Sequence, residues 1–147
     1  MPDIDMGNGN NFDAANGGIT QTEHDKNLAL AIEMRENEVY QYQTNVNNYE
    51  QMLSTCADLP AAWPANLLQY KGLSRDQLAA TVENDDDLEI VSRLSFRDEL
   101  KMRIRSEKIE RNKVNMILAS LVSQATDIVK IRQIITDNKA ARLSQPA

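Results

Sequence analysis

The chain has 147 residues, of which 41% are hydrophobic but only 5% aromatic, and its formal net charge is −6. With one cysteine (Cys56) and one histidine (His24), an intrachain disulfide framework and a Cys/His zinc cluster are both excluded. A Gly-rich phosphate loop, a Ser-His or Cys-His constellation and a metal-ligand cluster are all missing, so the residues point to neither an enzyme nor a cofactor.

The net charge hides a split. Residues 1–90 carry 16 acids against 4 bases, whereas residues 91–147 carry 6 acids against 12 bases. Opposite halves of this kind either neutralise each other across a helix pair or leave a basic face for an acidic partner. Both outcomes are association rather than chemistry.

Residues 1–19 hold four of the five glycines and Asn8, Asn10, Asn11 and Asn16. Ordering such a segment costs much backbone entropy with little apolar surface to offset it, so a flexible, disordered arm is expected. Ile4 and Phe12 are candidate anchors on a neighbouring subunit. No basic region followed by an apolar stretch is present as in a signal peptide, and no apolar run approaches the roughly 20 residues of a membrane span. A cytoplasmic protein with no membrane partner is the resulting expectation.

Thr20 and Glu23 have the spacing of a capping box, which predicts a helix from about 22 to 57. Ile32, Val39, Val46 and Leu53 repeat every seven residues, and Leu28, Tyr42, Tyr49 and Cys56 supply the alternating position, interrupted at Arg35. That pattern draws one apolar seam, as a left-handed coiled coil or helical hairpin requires. His24 reads as a solvated side chain near the helix start and Cys56 as a small apolar residue. They lie about 48 Å apart along a continuous helix, which rules out a Cys-His pair within one chain. From Val39 to Tyr49 no formal charge occurs, and Asn45 and Asn48 belong to an uncharged polar patch suited to a subunit contact.

Residues 58–87 read as a connector of short helices. Pro64 opens one that reaches about Tyr70, Gly72 ends it, and Ser74 with Gln77 caps a second to about Glu83. Trp63 is the plug expected to fix this connector, with an exposed partner contact as its other role. The cluster Glu83, Asp85, Asp86, Asp87 and Glu89 lacks the glycine and the terminal glutamate of an EF-hand loop, and its carboxylates suit the start of the next helix instead.

From about 88 to 139 neither glycine nor proline occurs, which allows one very long helix or two joined by a tight bend, with Arg111 a candidate place for it. Leu100, Ile104, Val114, Leu118, Leu121, Ala125, Ile128 and Ile135 fall on a four-three spacing interrupted at Glu107, Arg111 and Arg132, and Ile117, Val122, Val129, Ile131 and Ile134 widen the stripe. So broad an apolar face predicts that this end is the most buried, in a bundle or at a subunit interface. Residues 144–147 read as a fraying tail.

Arg93, Arg97, Lys101, Arg105 and Lys108 recur at helical spacing and form a basic stripe. Glu99 with Arg103 and Glu107 with Arg111 are favourable four-residue pairs on the same helix, and Glu33, Glu36, Glu38 and Glu50 are candidate partners across an antiparallel pair. The stripe is also a candidate contact for an acidic partner or a nucleic acid. Against nucleic acid stand the overall acidity and the lack of any aromatic after Phe96 to stack on bases.

The residues together predict an all-α protein: a long antiparallel helical hairpin or coiled-coil-like bundle, a single helical domain over 20–143 behind the 1–19 arm. Its function is read as structural or assembly work by a homo-oligomer that also meets other protein subunits, as in a virus or bacteriophage particle. The alternatives are a chaperone-like or regulatory adaptor that binds a partner helix and, after it, a nucleic-acid binder. The expected protein interface comprises Ile32, Val39, Tyr42, Val46, Tyr49, Leu53, Trp63, Leu118, Leu121, Ile128 and Ile135.

Overall fold

A computed structural model describes residues 20–145, so the expected N-terminal arm lies outside the described residues. The protein is all-α: α1 (Gln21–Ser54), a 3₁₀ helix (Ala65–Tyr70), α2 (Arg75–Thr81), α3 (Asp85–Ser123) and α4 (Ile128–Leu143), with no strand among the described residues. No single helix among them is long and apolar enough to cross a membrane.

Side-chain caps place the helix starts. Thr20 Oγ1 accepts the Glu23 amide at 3.1 Å and opens α1. Ser74 and Gln77 form the full reciprocal capping box of α2. At α3 the cap is Asn84, whose Oδ1 accepts the Asp87 amide at 3.0 Å, while Asp85, Asp86 and Asp87 line the first turn, where carboxylates favour the helix dipole.

The stretch after residue 88 is two helices, and the break lies at 124–127 rather than near Arg111, which sits inside α3. Without glycine or proline to force it, the chain turns through Gln124 and Ala125, whose amides bond Leu121 and Val122 carbonyls. Asp127 then caps α4 by accepting the Val129 and Lys130 amides at 3.1 and 3.2 Å. Ser, Thr and Asp side chains compete with the helix for its own backbone, and Ser123, Thr126 and Asp127 cluster here. The angle between α3 and α4 is 117°.

The chain divides into two compact units, one made of the described residues up to Val39 with those from Lys113 onward, the other of Tyr40–Asn112. In the first, Leu28, Ala29 and Ile32 of α1 close on Ile131 and Ile135 of α4, with Leu118, Leu121 and Val122 of α3 at the margin. In the second, Trp63, Leu67, Leu78, Val82, Val91 and Leu94 make one cluster under the connector. The α1 and α3 segments of this second unit run antiparallel, since Gln43 meets Arg111, Asn45 meets Glu107 and Glu50 meets Lys108. Gly72 has φ +90° in the turn before α2, a left-handed conformation that costs a residue with Cβ about 1–2 kcal/mol.

Candidate protein-interaction surface

In the unit containing Tyr40–Asn112, the α1 seam is covered unevenly. Val46 is buried, Tyr42, Tyr49 and Leu53 are half-buried, and Cys56, expected on the same helix, is buried in the turn after its end at Ser54. Arg103 lies 6.0 Å from the Tyr49 ring centroid, a cation–π distance, while pairing with Glu99 at 2.8 Å. The uncharged patch is partly spent inside the chain. Asn45 donates to Glu107 at 2.6 Å and Gln43 accepts from Arg111 at 2.7 Å, so Glu107 and Arg111 turn to α1 instead of to each other. Tyr40, Asn47 and Asn48 stay exposed.

The basic stripe does not act as one surface. Arg93 makes a two-pronged contact with Asp58 at 2.6 and 2.8 Å and reaches the Thr55 carbonyl at 3.1 Å. The Arg93 hydrogen bonds hold the Asp58 carboxyl below its ordinary pKa. Arg97 is buried, donates to the Pro60 carbonyl and lies 3.9 Å from Asp98. Trp63 is buried as a plug, its Nε1 donating to Asp98 at 2.9 Å. Lys108 stands 3.8 Å from Glu50. The side chains of Lys101 and Arg105 are exposed, with no hydrogen bond or ion pair among the described residues.

Beside Trp63 the turn before α2 and the first half of α3 enclose a cleft of about 670 Å³. Its lining includes Leu73, Leu78, Phe96 and Met102 with the charged Lys71, Arg75, Asp98 and Glu99. Sequence reasoning missed this cleft, because its walls come from segments roughly 20 positions apart whose apolar residues look like ordinary core.

In the other unit, Ile32, Ile131 and Ile135 are buried, Val39, Leu118, Leu121 and Ile128 half-buried. The expectation that the C-terminal third is the most buried part fails for the chain by itself: Met116, Ile117, Val129 and Leu143 are exposed, Val129 by 75%. On α1, Leu30 and Met34 lie one turn apart on the face opposite Leu28 and Ile32 and are 52% and 54% exposed. Glu33 and Glu36, candidate partners of the stripe, pair instead with Arg142 and Arg132 of α4. Glu38 binds Arg35 on its own helix at 2.9 Å.

Asp25 is buried near His24, whose Nδ1 is 3.9 Å away. Burial alone would raise its pKa, but the Gln21 amide at 2.9 Å and the Lys130 ammonium at 3.2 Å outweigh it and hold the carboxyl below its ordinary 3.8. A depressed carboxyl stabilises the fold above its unfolded pKa and loses that contribution as pH falls through the folded value. Asp25→Asn will therefore melt lower than the native protein at neutral pH, and the two melting temperatures will converge as the solution is acidified below about pH 4. A gap that does not change with pH would remove this role.

Among the described residues, no group of three or more His, Cys, Asp and Glu side chains is placed to hold a metal ion. Comparison with protein-family models, with curated proteins and with solved structures finds no match for the chain.

Proposed function

We propose that the protein is a non-enzymatic structural or assembly subunit that works by helix-mediated association with copies of itself and with other protein chains. The observation that carries this reading is a helix with apolar side chains on two opposite faces. The first half of α1 seals Leu28, Ala29 and Ile32 against its own chain and presents Leu30 and Met34 outward. Single exposed apolar residues are common, but two adjacent ones backing a packed face fit a helix with another neighbour. Val129 on α4, opposite in burial to Ile131, supports the same reading. A particle of a virus or bacteriophage is one setting for such a subunit.

Nucleic-acid binding is the weaker reading, because three members of the basic stripe already serve Asp58, Pro60 and Glu50. Light scattering after size exclusion tests the proposal. The native protein will show a mass that is a multiple of 16.6 kDa at micromolar concentration. Leu30→Lys with Met34→Lys will lower that mass while far-UV circular dichroism is unchanged, since both side chains are exposed. A native protein that elutes as a monomer overturns the reading.

A further inference from the structure

We infer that the cleft between the α2 turn and α3 receives residues 1–19 of a neighbouring copy, an inference that rests on the self-association proposed above. Its floor is apolar, with Leu73, Leu78 and Phe96 inside and Met102, 73% exposed, at its edge. A cleft of about 670 Å³ lies within the range of sites that enclose a few anchoring side chains. The charge at its rim is one-sided in effect. Asp98 has the Arg97 guanidinium 3.9 Å away and Glu99 pairs with Arg103, whereas the side chains of Lys71 and Arg75 are exposed and have no hydrogen bond or ion pair among the described residues. Ser95 Oγ, also in the lining, is buried without a hydrogen-bond partner. The cleft therefore suits a segment with large apolar side chains, adjacent carboxylates and no cation.

Residues 1–19 have that chemistry. Asp3, Asp5 and Asp13 are their only charged side chains, and they flank Ile4, Met6 and Phe12. The other long stretches of the sequence without a Lys or Arg, 36–70, 76–92 and 114–129, fall largely in the packed helices and their connector. An apolar side chain in the cleft with an aspartate beside Lys71 or Arg75 follows the arrangement of an anchored, electrostatically steered contact.

Charge reversal in the full chain tests this. One variant carries Lys71→Glu and Arg75→Glu; the other carries Asp3→Lys, Asp5→Lys and Asp13→Lys. Each set sets like charges against each other, and each variant by itself will associate more weakly by about tenfold or more in sedimentation equilibrium. An equimolar mixture will regain association, because each cleft then meets an arm of opposite sign on the other variant. Circular dichroism of the Lys71→Glu, Arg75→Glu variant will match the native protein, as both side chains are exposed. If the native protein associates but neither variant differs from it, or the mixture does not recover, this inference falls and the self-association reading stands. A monomeric native protein overturns both.

Discussion

Leu94→Ala will destabilise the protein by about 2–5 kcal/mol, the range for removing a fully buried leucine from a packed core. Leu94 has no exposed surface and lies in the cluster formed by Trp63, Leu67, Leu78, Val82 and Val91. Its neighbours cannot readily close over the void. Trp63 is tied through Nε1 to Asp98, and Leu78 belongs to a helix fixed at its start by the Ser74–Gln77 box. The single tryptophan sits in the same cluster and reports the change directly. Urea unfolding followed by its fluorescence will show a lower midpoint for Leu94→Ala. Leu68→Ala, on the 3₁₀ helix but 54% exposed, will shift stability by no more than about 0.5 kcal/mol. Equal midpoints for the two variants would contradict the packing.

Arg142→Ala will cost about 1–3 kcal/mol, less than the figure for a fully buried pair because Arg142 is itself half exposed. Among the described residues its guanidinium is the one ion-pair partner of Glu33, a buried carboxylate on α1. Removing the arginine leaves that carboxylate dry and uncompensated. The loss shrinks if the charge is removed as well: Glu33→Met with Arg142→Ala will recover most of it, since an apolar side chain of similar size needs no partner there. Thermal melts of the two variants decide the matter. A double variant as unstable as Arg142→Ala would mean that the arginine acts by packing its stem, not by neutralising Glu33.

The long helices were legible because nothing in 20–59 or 88–139 breaks a helix and because the apolar rows repeat with a helical period. The Ser74–Gln77 cap was legible for a similar reason, since both of its hydrogen bonds join residues three apart. The break at 124–127 contains neither glycine nor proline, and its one local signal is Asp127, an N-cap residue just before Ile128. Partner choice was legible only in part: Glu50 does meet Lys108 of the stripe, and Glu99 does pair with Arg103. Helical spacing puts Glu33 and Glu36 on a face, but only the fold decides that Arg142 and Arg132 reach them before the stripe does. Likewise Arg93 and Arg97 looked like two rungs of an open ladder, because their acceptors in 55–60 lie more than 30 positions away.

Those acceptors make the segment after α1 behave as a ruler. Asp58, Pro60 and Trp63 are each hooked to α3, at Arg93, Arg97 and Asp98 in turn, so three fixed points on a rigid rod are matched by three on an irregular strip of chain. Adding or deleting one residue between Asp58 and Trp63 displaces a hook by about 3.5 Å, more than a hydrogen bond can stretch. Redesign of this strip can change its side chains at Ala61 and Ala62, which are exposed, but not its count. Any fusion or insertion is better carried elsewhere.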